Sequence, residues 1–242
     1  FDFFFAHLMM NSERFVKQLI LGDFRVQWGQ GLIAWGGFSS GKSDVAIGNE
    51  KAGKGFVASS STDENNYLRG VSASFKICDG VVGELFYSSK KTDANVMATD
   101  TLSDDELLSA SLIETGYHRN ESECLKKHTL RERTTGFSLR WNSAAFKVGV
   151  QTLYYDFSPN LSRKNQEYQK YNDSGNNRCL VSVDYKTAWR GIYLFGETAR
   201  SDAGAWATMN GVRGSLDWFS FCLLYRRYDK DYVSHYASGF GE

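Results

Sequence analysis

Phe137-Ser138-Leu139-Arg140-Trp141 runs apolar, polar, apolar, polar, apolar. A period of two is the signature of an extended strand with one greasy and one polar face, because successive side chains point to opposite sides. The same alternation returns in Phe146-Lys147-Val148-Gly149-Val150-Gln151 and in Val181-Ser182-Val183-Asp184-Tyr185-Lys186. It returns again in Val71-Ser72-Ala73-Ser74-Phe75-Lys76 and in Gly214-Ser215-Leu216-Asp217-Trp218. Strands are expected over 2–10, 15–21, 24–35, 66–77, 81–91, 134–141, 145–157, 178–187, 191–199, 206–217 and 220–231.

Between these strands lie two classes of connection. Cys78-Asp79-Gly80, Asn142-Ser143-Ala144, the run from Thr187 to Arg190, and Trp218-Phe219 are short. The polar stretches 36–66, 92–133 and 157–177 are long, and the two classes alternate along most of the chain. An antiparallel up-and-down transmembrane β-barrel does this, with tight turns at one rim and long external loops at the other. A soluble sandwich has no reason to gather its long loops at one end.

Composition agrees with that reading. The chain has 242 residues, 15% of them aromatic, with 23 Gly and a single Pro. Few prolines suit many hydrogen-bonded strands, since Pro cannot donate to a ladder. Mean hydropathy is −0.41, and no run approaches the roughly 18 apolar residues of a membrane-spanning helix. A barrel tolerates this, because half of each strand faces the lumen. Net charge is zero, from 28 Lys+Arg and 28 Asp+Glu, so bulk charge points to no polyanionic partner.

Aromatic placement predicts two belts. Trp141, Trp189 and Trp218 sit beside short turns, and Trp35, Tyr67, Tyr87, Tyr154, Trp206 and Tyr225 sit towards the long-loop ends. Such rings favour the two membrane interfaces.

The polar strand faces are the candidate functional surface. Arg25, Gln27, Glu84, Arg140, Lys147, Gln151, Asp184, Lys186, Glu197, Arg213, Asp217 and Arg226, with Lys76, are expected to line the lumen. In a wide barrel they tune a channel. In a narrow or plugged one they pair and fill it. Their mixed sign argues against strong ion selectivity.

Sharper motifs fail on context. Gly36-Gly37-Phe38-Ser39-Ser40-Gly41-Lys42-Ser43 fits the phosphate-binding loop pattern, which needs a helix after it. The next residues, Asp44-Val45-Ala46-Ile47-Gly48-Asn49-Glu50, have an early Gly and no helical periodicity, so a Gly/Ser-rich external loop is expected. Lys42, Lys51 and Lys54 read as a solvated loop. His7, His118, His128 and His235 are scattered, with no G-x-S-x-G, so no catalytic residue is assigned. No metal or cofactor site is expected from the spacing of Cys78, Cys124, Cys179 and Cys222. A Cys124–Cys179 disulfide is weighed against four unpaired thiols. A short helix is expected from Asp104, capped by Ser103.

Phe1-Asp2-Phe3-Phe4-Phe5 carries no charged leader, and Ser238-Gly239-Phe240-Gly241-Glu242 no natural stop. Eleven strands is an odd total, whereas single-chain bacterial barrels have even counts. One barrel domain over 1–242, truncated at both ends, is therefore expected.

Several stretches resemble the outer-membrane barrel region of the Bacteroidetes-type helix-hairpin-helix domain proteins. They are Leu21-Gly22-Asp23-Phe24-Arg25-Val26-Gln27-Trp28-Gly29-Gln30-Gly31-Leu32, Gly37-Phe38-Ser39-Ser40-Gly41-Lys42-Ser43, Ser61-Thr62-Asp63-Glu64-Asn65 and Leu68-Arg69-Gly70. Thr115-Gly116-Tyr117-His118-Arg119-Asn120-Glu121-Ser122-Glu123, Phe195-Gly196-Glu197-Thr198-Ala199-Arg200 and Tyr225-Arg226-Arg227-Tyr228-Asp229-Lys230-Asp231-Tyr232 complete the set. The resemblance implies a bacterial outer-membrane location, with membrane lipid, lipopolysaccharide and other outer-membrane proteins or lipoproteins as partners. The family's helix-hairpin-helix region would carry any DNA contact, and that region is not within these residues. The expected function is non-enzymatic: transport or uptake, with DNA one candidate cargo, or a subunit of a larger outer-membrane assembly. A general diffusion porin is the alternative, and an outer-membrane hydrolase a more distant one.

Overall fold

The computed structural model describes residues 4–37, 50–59, 67–98, 108–112, 125–161, 175–216 and 218–238. Among them are β1 (His7–Asn11), β2 (Val16–Gln27), β3 (Gly55–Ala58), β4 (Leu68–Cys78), β5 (Val81–Thr92), β6 (Ala94–Ala98) and β7 (Leu108–Leu112). β8 (Leu130–Asn142), β9 (Phe146–Leu161), β10 (Gly175–Trp189), β11 (Ile192–Ser201), β12 (Trp206–Leu216) and β13 (Phe219–Tyr228) come after them. The fold is all-β.

The wall is one antiparallel up-and-down sheet in the order β1-β2-β4-β5-β8-β9-β10-β11-β12-β13. Each strand pairs with its neighbours in this path, and β1 and β13 form its two edges among the described residues. The sheet therefore has the topology of a partial barrel. The β1–β2, β4–β5, β8–β9, β10–β11 and β12–β13 connections share one rim, while the short β11–β12 connection, 202–205, lies at the other. Arg190 and Gly191 both have positive φ, 48° and 80°, the type I′ geometry that matches strand twist. This turn lies after Trp189 and not across Thr187–Arg190, because β10 and β11 pair down to Trp189↔Ile192.

Three departures from the sequence expectation have physical causes. First, the expected strands 15–21 and 24–35 are one strand, β2, which passes through a positive φ of 102° at Gly22 and ends at Gln27. Gly29 and Gly31 then take positive φ of 53° and 86°, which breaks the extended chain. Second, β3, β6 and β7 lie in stretches expected to be loops. Third, Leu108, expected within a helix, begins β7; Ser103 and 104–107 fall outside the described residues.

Along β8 the burial pattern alternates residue by residue. Leu130, Glu132, Thr134, Gly136 and Ser138 are buried, while Arg131, Arg133, Thr135, Phe137 and Leu139 are exposed. Cross-strand pairs share a face, so register carries this inside/outside division around the wall: Glu84↔Ser138, Ser138↔Gln151, Gln151↔Ser182, Asp184↔Glu197. Cys179 is a free thiol, so the disulfide to Cys124 is not made; Cys124 itself falls outside the described residues.

Candidate functional site: an occupied barrel interior

Beyond Phe24, β2 leaves its pairing with β4. It continues between β3 and the returning segment 34–36, where Trp28 N–H donates to the Ala34 carbonyl at 3.1 Å and Gly36 N–H to Val26 at 2.7 Å. This small sheet and the turn 28–33 form a plug. A second piece, the strap 232–238, lies along it. Trp35 N–H donates to the Tyr236 carbonyl at 2.8 Å and Ser238 N–H to Gly31 at 3.1 Å. The Tyr232 hydroxyl donates to the Leu32 carbonyl at 2.8 Å and Ser234 Oγ to Ile33 at 3.1 Å.

Four wall contacts hold the plug. On β11, Glu197 is fully buried, and its Oε2 accepts the backbone N–H of Gln30 at 2.6 Å and of Leu32 at 3.1 Å. Gly29 makes the approach possible, since a Cβ there would lie 2.6 Å from that carboxylate oxygen. On β5, Glu84 accepts the indole Nε1–H of Trp28 at 2.7 Å and pairs with Arg140 of β8. On β10 and β12, Lys186 and Arg213 meet Glu50 at 3.1 and 2.9 Å, and Lys186 also donates to the Lys51 carbonyl. On β8, Glu132 accepts the Tyr236 hydroxyl, while Lys90 of β5 lies 3.6 Å from the same carboxylate.

Apolar packing completes the seat. Trp28, Phe24, Phe56 and Phe86 have ring centroids 5.5–6.0 Å apart. Gly136 leaves room for them: a Cβ there would lie 2.3 Å from the Phe86 ring and 2.8 Å from that of Trp28. Lys51, expected in a solvated loop, is buried instead. Its ammonium lies over the Trp35 ring and holds the Ser238 carbonyl. Burial pulls its pKa down to about 8, partly opposed by the charge of Glu197.

The expected lumen residues divide. Glu84, Arg140, Lys186, Glu197 and Arg213 contact the plug or one another. Gln151 and Asp184 bond to each other, and Ser182 Oγ donates to Gln151 at 2.8 Å. Lys147 shares the inner face with Lys186 by register but is exposed at the short-turn rim. Arg226 pairs with Met209 on the inner face of β13. Arg25 and Gln27 sit opposite the Val26 side of β2, next to Gly36 and Gly37. Asp217, Lys42 and His118 fall outside the described residues. Of the glycine-rich run at 36–43, Gly36 and Gly37 belong to the plug, and 38–43 fall outside. Lys90, Glu132, Ser74 and Ser138 are inner-face polar residues that the sequence reading missed. Lys90 follows Glu84 at an even spacing, and that parity is the signal that would have found it.

The outer surface changes character along each strand. Leu85, Phe137, Leu139, Val150, Val181, Val183 and Leu194 are exposed there, at the heights where Glu84, Arg140, Gln151, Asp184 and Glu197 face inward. On β10 this outer row runs from Val181 to Trp189, nine residues, against the roughly 9–11 that a tilted strand needs to cross a bilayer. Towards the long loops the polarity inverts. Leu130, Leu153, Tyr155 and Phe157 are buried inside, while Lys91, Arg131, Arg133 and Arg200 are exposed outside. Lys91 and Arg131 are direct cross-strand partners.

The exposed rings mark both borders of the apolar row: Trp141, Trp189 and Trp218 at the turns, and Tyr87, Tyr154, Trp206 and Tyr225 at the other end. Trp35 and Tyr67, expected in the second belt, are buried in the plug region instead, because residues 28–37 fold inward. No helix among the described residues is long and apolar enough to cross a membrane, which leaves strands untouched. No His/Cys/Asp/Glu group able to hold a metal occurs among the described residues.

No family model matches the chain, and no curated protein matches it.

Proposed function

We propose that this chain is the wall and the internal plug of a bacterial outer-membrane β-barrel, acting in transport or in a larger outer-membrane assembly, without enzymatic activity. The inversion of polarity along the strands supports the location. In a soluble barrel, an outer row of Phe, Val and Leu facing water over buried Glu, Asp and Arg would lose the hydrophobic driving force and add the cost of burying charge. In a bilayer the same row is solvated by lipid. The basic residues just beyond it, Lys91, Arg131 and Arg133, lie where outer-leaflet lipopolysaccharide would present phosphates.

The observation that carries the functional reading is the hold of Glu197 and Glu84 on residues 28–32. An open diffusion porin keeps its polar lining in water, whereas here the lining is spent on the chain's own segments. A plugged barrel suits a gated conduit or an assembly subunit. The resemblance to the helix-hairpin-helix barrels adds DNA uptake as one candidate cargo route. Salt-dependent DNA binding by a protein carrying that region would test it.

Conductance in planar bilayers tests the reading against the porin. The refolded chain is expected to be silent, with Glu197→Ala opening steps; a steady open pore in the unmodified chain overturns it.

A further inference from the structure

The long-loop half of the interior contains a cavity of about 420 Å³ between the strap and the wall. Arg25, Trp35, Tyr67, Phe86, His235 and Tyr236 are among its lining residues. The size falls within the roughly 300–1,000 Å³ of small-molecule sites, and a lining of aromatic side chains with a few convergent polar groups is their usual character.

Among the described residues, the other charges nearby have partners. Asp23 is held by Arg69 at 2.6 Å. Glu132 is held by Tyr236 and lies beside Lys90. Lys90 also donates to the Tyr67 carbonyl at 2.8 Å, and Lys51 holds the strap. Arg25 is half-buried, and its Nε is enclosed with no hydrogen-bond partner. A guanidinium nitrogen enclosed away from water, with no acceptor among the described residues, is costly. An anion entering the cavity would remove that cost and gain a planar, charge-assisted fork of hydrogen bonds.

We infer that this cavity is a binding site for a small ring-bearing anion, its carboxylate or phosphate facing Arg25 and its ring lying among Trp35, Tyr67 and Tyr236. The site depends on the cavity and not on the surrounding lipid, so it goes beyond the transport reading and does not require it.

The test is titration calorimetry on the refolded chain in detergent micelles, with benzoate and phenyl phosphate as probes, and benzyl alcohol and acetate as the ring alone and the anion alone. Benzoate or phenyl phosphate is expected to bind saturably, at least tenfold tighter than either control. Arg25→Met is expected to weaken the anionic rings at least tenfold and leave benzyl alcohol unchanged. Ala237→Trp, placed in the strap lining, is expected to abolish binding of the rings whatever Arg25→Met does to folding. Equal binding of benzoate and benzyl alcohol, insensitivity to both variants, or no saturable binding overturns the proposal. Silence in bilayers with intact benzoate binding would separate this result from the conductance test.

Discussion

The Glu197 carboxylate sits 2.6 Å from the backbone nitrogen of Gln30, joining the wall at β11 to a turn 167 residues earlier in sequence. One side-chain oxygen satisfies two backbone donors that have no strand partner in the barrel interior. Glu197→Ala leaves both unsatisfied, at about 1–3 kcal/mol each. The expected outcome is an unseated plug with the wall intact: unchanged strand content by circular dichroism and faster protease cleavage within 28–54. Glu197→Gln keeps an acceptor and is expected to show the smaller effect.

Glu84 and Arg140 should behave as a coupled pair. Removing one partner strands a largely buried charge, at about 3–5 kcal/mol. Glu84→Ala and Arg140→Met are each expected to be strongly destabilising in urea titrations, and the double variant to cost less than their sum. Additive costs would show that the pair contributes nothing beyond packing.

Lys51 makes the plug sensitive to alkaline pH. Its folded-state pKa of about 8 lies below the ordinary lysine value of roughly 10.4. Between these two values the unfolded chain binds more protons than the folded one, so stability rises with pH across that window and is unchanged by Lys51 below it. Protease protection of 28–54 is expected to increase between about pH 8 and 10, and Lys51→Met to flatten that rise.

The wall was legible in the sequence and the plug was not, for physical reasons. Phe137 to Trp141 alternate because one face lines a polar interior and the other is the exposed, apolar outer face, and alternation is what periodicity detects. The run from Gly31 to Trp35 is equally apolar, but its burial is in the interior, so nothing distinguishes it from a strand except the glycines at 29 and 31. The inner face is polar near the turns and apolar near the long loops, so a single rule for the lumen, polar side chains on strands, found Glu84, Glu197 and Arg213. It missed the Leu153 and Tyr155 layer, and it assigned Arg25 and Gln27 from β2 without the change of partners that strand makes.

The apolar row should resist charge, and the inverted zone should accept it. Leu139→Arg is expected to cost about 2–4 kcal/mol of folding into vesicles, the cost of a cation near mid-bilayer. Ser89→Arg, on the outer face among Lys91 and Arg133, is expected to be near neutral. Urea titration of refolding into lipid vesicles checks both.

Spin labels placed singly at 131, 133, 137, 138 and 139 of β8, in the refolded protein in vesicles, test the proposal of a bilayer-spanning wall most directly. Labels at 137 and 139 are expected to collide freely with dissolved oxygen and little with an aqueous nickel chelate, 131 and 133 to show the reverse, and 138 to be shielded from both. Chelate access at 137 and 139 equal to that at 131 would contradict a lipid-facing wall.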